Sequence, residues 1–114
     1  MAKLEYHLTG DFDALVEAIH DGVLLGSPTA SYEDGSAWAL GDVRCAVNVY
    51  ERYSALGANR VSLTVTVIGS GMDLRVSAIT SGGSQAMFVK LNTVGEESFL
   101  DLFDRVLREY QNEH

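Results

Sequence analysis

The feature that most constrains this chain is a long run of alternating hydrophobicity. From residue 29 to residue 92 apolar and polar residues take turns, and only short turn signals interrupt them. A strand sends successive side chains to opposite faces, so such a run builds sheet. The turn signals cut it into six short strands in a meander. Asp34-Gly35-Ser36 reads as a bulged three-residue loop that pairs Tyr32 with Trp38. Gly41-Asp42 reads as a two-residue turn that sets Leu40 opposite Val43 and Trp38 opposite Cys45. A corner over 54–59 follows, and then a Ser70-Gly71 turn pairs Val67 with Leu74. Ser81–Ser84 reads as a four-residue hairpin loop that sets Ala78 opposite Met87 and Leu74 opposite Leu91. Two glycines between serines could also form a small anion-binding nest. A phosphate loop normally leads into a helix, however, and here a strand is expected.

Two helices flank the run. Residues 3–8 alternate as a half-buried strand, with Leu4, Tyr6 and Leu8 on one side. Phe12, Leu15, Val16 and Ile19 then recur on one helical face, with Asp11 and Asp13 near the positive end and Gly22 as the stop. Glu96 and Glu97 open a last helix whose apolar stripe is Phe99, Leu102, Phe103, Val106, Leu107 and Tyr110. The order β-α-β6-α makes an α+β domain over residues 1–114. It is one curved antiparallel meander sheet with both helices packed on one face. On this register Val43, Cys45, Val47 and Val49 point inward, and so do Val61, Leu63, Val65 and Val67. The expected core joins Trp38, Val47, Val65, Val76, Phe99 and Phe103.

Charge separates the face away from the helices. The chain carries a net −8, which argues against general nucleic-acid binding. Yet residues 43–92 hold five bases and two acids. Those bases fall on the expected outer face, where Arg44, Asn48, Tyr50, Arg52 and Arg75 form a candidate contact face. A sheet face in water must be polar in any case, and that reading stands beside the functional one. The functional readings are a homodimer interface, since Tyr and Arg favour interfaces, or a site for a small anionic ligand. Inside, Tyr6, Trp38, Met87 and Tyr110 are candidates to line a pocket for a small hydrophobic ligand between the sheet and the last helix. Core filling explains the same residues.

No catalytic constellation is visible. Cys45 is expected in the core, where a thiol is inert. His7, His20 and His114 have no metal-ligand spacing, and no cofactor motif occurs. A lone cysteine forms no internal disulfide, the N-terminus lacks a signal peptide's apolar run, and no apolar run approaches the ~20 residues of a membrane helix. These features predict a cytoplasmic protein.

The strand and helix order resembles the helix-grip fold of plant allergen-like and START-like lipid-transfer proteins. It departs from them in having one short helix after the first strand and in its short length, and both departures shrink any cavity. The stretches "GDVRCAVNVYERYS", "ANRVSL", "ITSGGSQA" and "GEESFL" resemble a family of small bacterial proteins of about this length, a domain of unknown function. That resemblance implies a bacterial origin and no chemistry. The sequence thus points to a binding or interaction module that self-associates through the outer sheet face. A carrier of a small hydrophobic ligand is the alternative, and an enzyme ranks last.

Overall fold

The structure, a computed structural model, describes residues 1–53, 60–82 and 89–113, with the side chains of all of these except 89–95. The chain runs β1 (Ala2–Thr9), α1 (Phe12–Gly26), β2 (Ser31–Leu40), β3 (Val43–Tyr53), β4 (Arg60–Ser70), β5 (Asp73–Gly82) and α2 (Val89–Glu113). The five strands form one antiparallel sheet in the order β1-β5-β4-β3-β2. Both helices cover one face, and a single apolar cluster lies between them and the sheet. The α+β class, the antiparallel sheet and the two helices are those expected from the sequence.

The strand count is not. Among the described residues four strands follow α1, in place of six. Residues 31–40 form one strand, because β3 is long enough to pair with all of it from Leu40↔Val43 to Ser31↔Glu51. The Asp34-Gly35-Ser36 signal is therefore no hairpin loop, and the irregularity is a register shift between Tyr32 and Asp34. The end of the last expected strand, residues 89–91, belongs to α2 instead. β1 explains this. It pairs with β5 from Ala2↔Thr80 to Thr9↔Asp73, so a strand following β5 would find that side of β5 occupied. The rest of the expected Ser81–Ser84 hairpin, with Met87, lies outside the described residues.

Two turns require glycine. Gly41 and Gly71 both have φ of 59°, the left-handed region that an L side chain resists. The Gly41-Asp42 turn sets Leu40 opposite Val43 and Trp38 opposite Cys45, as the alternation predicts. The next turn is displaced by one residue to Gly71-Met72, which pairs Val67 with Val76 instead of Leu74. That shift moves the partners by two residues, so every β5 side chain keeps its expected face.

α1 is capped by Asp11, whose carboxylate accepts the Ala14 N–H at 2.8 Å. It buries Phe12, Leu15, Ile19 and Val23. It passes Gly22, the expected stop, and ends at Gly26. A Cβ on Gly22 would lie 2.6 Å from Val106 Cγ1, so this glycine marks a close crossing with α2 and not an end. α2 likewise begins before Glu96, and that carboxylate is no helix opener. It is 4% exposed, accepts the Gly82 N–H at 2.6 Å and meets the amino group of Met1. It ties the end of β5 and the start of β1 to α2.

Candidate functional site on the helix-free face

The two faces of the sheet are fixed by β4. Val61, Leu63, Val65 and Val67 are buried against the helices. Residues paired across an antiparallel ladder share a face. On β3 the partners of those valines and leucine are Arg52, Tyr50, Asn48 and Ala46. The even-numbered residues of β3 therefore face the helices, and Val43, Cys45, Val47 and Val49 face away. This inverts the expected parity of β3, and it moves most of the candidate contact face to the opposite side of the sheet.

Arg44, Arg52 and Tyr50 each have a structural partner there. Arg44 donates to Asp13 Oδ2 at 2.8 Å, and its guanidinium lies 4.4 Å from the centre of the Phe12 ring. The pairing holds the Asp13 carboxyl below its usual range. Arg52 donates to Ser98 Oγ at 2.9 Å and stacks 4.5 Å over Phe99. Burial, and then Arg105, lower its pKa. Tyr50 is fully buried, with its hydroxyl 3.0 Å from His20 Nδ1. Burial pushes that hydroxyl up to about 12. Tyr32 completes an edge-packed aromatic trio with His20 and Tyr50, at centroid distances of 5.4 to 5.7 Å. Asn48 sits beside it. A Cβ on Gly35 would be 2.2 Å from Asn48 Oδ1 and 2.5 Å from Tyr32 Oη, so only glycine leaves room for that cluster. Of the five candidates, Arg75 alone stands on the helix-free face, 3.8 Å from Asp73, which also holds His7 Nε2 at 2.6 Å.

The candidate pocket is divided in the same way. Tyr6 faces the helices and donates to Asp104, an interaction that raises its pKa. Tyr110 is buried on the helix side. Trp38 pairs with Cys45 and therefore points away from both. The three cannot line one cavity, and Met87 lies outside the described residues. On the helix side an open groove of about 420 Å3 lies between α1 and α2, lined by Ala18, Gly22, Leu102 and Val106. Trp38 and Val47 also leave the expected core, whereas Val65, Val76, Phe99 and Phe103 are in it.

The helix-free face has two halves. Over β1, β5 and part of β4 polar side chains predominate, with Glu5, His7, Thr66, Arg75 and Ser77 around a shallow groove of about 410 Å3 that Ile68 also lines. Over β2 and β3, with Ile68 of β4 opposite Cys45, it is apolar. Trp38 is 61% exposed and Leu40 83%, with Val43 and Ile68 also exposed. Cys45, Val47 and Val49 are half-buried between them. A smaller depression of about 220 Å3 runs from Asp34 and Ser36 past Trp38 to Val47 and Val49. Sequence reasoning placed the β2 and β3 residues of this patch in the core because an apolar stripe normally lies there. The missed signal is Arg44, Asn48 and Arg52 sharing a parity with buried Tyr50. Among the described residues no group of three or more His, Cys, Asp or Glu side chains could hold a metal ion. No helix among them is long and apolar enough to cross a membrane.

A family model described as a family of unknown function, DUF6054, matches residues 1–111. The chain belongs to the DUF6054 family. No curated protein and no solved structure matches this DUF6054 chain.

Proposed function

We propose that this DUF6054 protein is a non-enzymatic interaction module that self-associates through the helix-free face of its sheet, at the β2–β3 end. The observation that carries the reading is the exposed apolar patch of Trp38, Leu40, Val43 and Ile68 around Cys45, Val47 and Val49. Contiguous apolar surface in water is costly unless a partner covers it, and large patches mark contact sites. Tryptophan is among the residues that most often dominate binding energy. Charge supports a second copy as the partner. The chain carries −8, and this patch is a neutral region where two acidic copies can approach. Two-fold pairing of identical patches is also the commonest form of assembly.

Sedimentation velocity over a concentration series tests the reading. The wild-type protein should show a reversible monomer–dimer equilibrium. Trp38→Asp should be monomeric and as stable as wild type within about 0.5 kcal/mol, since an exposed side chain contributes little to folding. Wild-type protein that stays monomeric up to its solubility limit overturns the reading.

A further inference from the structure

β2 is an outer strand of the sheet, so among the described residues one of its sides has no neighbouring strand. Its two halves differ. The first is guarded by Glu33, by Asp34 and by the register shift between Tyr32 and Asp34. Bulges and charges of this kind keep edges from pairing with other chains. The second half, residues 36–40, has no bulge, charge or proline, and all of its residues are exposed.

Backbone geometry says which groups that half offers. In a hairpin closed by two residues, the flanking pair exchanges both backbone hydrogen bonds, and the pattern then alternates. Leu40, Trp38 and Ser36 therefore turn their N–H and C=O groups to Val43, Cys45 and Val47 of β3. Ala39, Ala37 and Gly35 turn theirs to the open side. The Gly35 N–H agrees with this, because Asp34 Oδ1 accepts it at 2.8 Å instead of a β3 carbonyl. Ala37 and Ala39 remain as the edge groups with strand geometry that no side chain among the described residues guards.

We propose that two copies join along this edge, antiparallel about a two-fold axis at Trp38, so that their sheets become continuous. This rests on the self-association just proposed and places its contact at the β2 margin of that patch, where Trp38 and Leu40 belong to both the face and the edge. Ala37 exchanges both bonds with Ala39 of the partner subunit. Trp38 meets the partner's Trp38 in a non-hydrogen-bonded pair, where Cα atoms approach to about 4.5 Å. A centre at Ala37 would need the Gly35 N–H that Asp34 already holds. A centre at Ala39 would set Ala37 against Gly41 in the turn. The exposed parts of Trp38 and Leu40 offer roughly 300 Å2 of apolar surface per copy, since a whole aromatic side chain buries about 150 to 250 Å2. A standard interface takes about 800 Å2 per partner, so this dimer is weak and reversible. Asp34 falls opposite the partner's Asp42 just beyond each end of the paired segment, and salt should tighten the association by screening that repulsion.

The test separates the edge from the face. Ala39→Pro removes an edge donor without breaking a bond to β3, and an edge strand tolerates proline. It should give a folded monomer by circular dichroism and sedimentation. In a Cys45→Ala background, Trp38→Cys should oxidise to a cross-linked dimer, because Cα atoms about 4.5 Å apart suit a disulfide. Ala37→Cys in the same background should cross-link poorly, since the register sets it opposite the partner's Ala39. The wild-type dimer fraction should rise with salt. If Ala39→Pro still dimerises while Trp38→Asp does not, the copies meet face to face. The edge geometry then fails and the proposed function survives. Cross-linking stronger at position 37 than at 38, or a dimer fraction that falls with salt, also overturns the edge geometry. A wild-type protein without any dimer removes both.

Discussion

Gly22→Ala is the sharpest test of how the helices pack. A Cβ at this position would stand 2.6 Å and 2.7 Å from the two methyl carbons of Val106 and 3.2 Å from its Cβ. Rotating the valine moves the methyls, but its branch carbon stays. Two effects oppose each other. Alanine favours a helix over glycine by about 1 kcal/mol. Forcing extra volume into a packed contact costs about 1 to 3 kcal/mol. Three close contacts on a stiff, buried side chain place the cost toward the upper end, so the net loss should be about 1 to 2 kcal/mol. An unfolding entropy of about 2.1 cal/mol/K per residue converts that to a fall in Tm of roughly 4 to 8 °C for a chain of this length. Urea unfolding followed by circular dichroism gives the free energy directly. Adding Val106→Ala should recover part of the loss, with a favourable coupling of about 1 to 2 kcal/mol in the double-mutant cycle. If Gly22→Ala instead stabilises the protein by about its intrinsic 1 kcal/mol, α1 and α2 separate without cost. The close crossing would then constrain nothing.

Other expectations follow from the buried and half-buried side chains. Phe103, fully buried on α2, should cost about 3 to 5 kcal/mol on truncation to alanine, and a chemical-unfolding loss below about 1 kcal/mol would mean that α2 is docked elsewhere. The Tyr50 hydroxyl, raised from 10.0 to about 12 by burial, favours the folded state fully below about pH 10. That contribution, about 2 to 3 kcal/mol, should be lost as the pH rises through about 12, and Tyr50→Phe should flatten the alkaline limb of the stability profile. Cys45, half-buried on the helix-free face, should react with a thiol reagent in the native protein, and protection until global unfolding would return it to the core. Gly35→Ala should destabilise the fold through its clash with Asn48, Tyr32 and the Val47 carbonyl, and unchanged thermal unfolding would contradict that crowding.

The parts of the fold that sequence made legible were those with one dominant period. β1, β4 and β5 each carry one apolar face, and Leu8, Val65 and Val76 lie where alternation places them. α2 was recognisable from Phe99, Phe103 and Tyr110. β3 was misread because both of its faces resemble an interior. One carries Val43, Cys45, Val47 and Val49, and the other carries Ala46 and Tyr50 between polar residues. Periodicity ranks the first higher, but the pairing Val65↔Asn48 sends the second to the helices. Arg44 and Arg52 survive there because their stems and flat heads cover Phe12 and Phe99 while their charges reach oxygen atoms. The last strand was misplaced for a topological reason. Local alternation at 86–91 carries no information that β1 already occupies the free side of β5.

The two stacked arginines also bear on which sequence changes this fold tolerates. Arg44 fastens the start of α1 to β3, and Arg52 fastens α2 to the same strand. An exchange to lysine at either position keeps the charge, the length and the hydropathy class, and a composition-based comparison would score it as silent. It would nevertheless exchange a planar guanidinium that can lie flat on a ring while donating sideways for a compact, strongly hydrated ammonium. Substitution at these two positions should therefore be narrower than at exposed bases such as Lys3, so that variation across related chains separates the arginines that clamp helices from bases on the open surface.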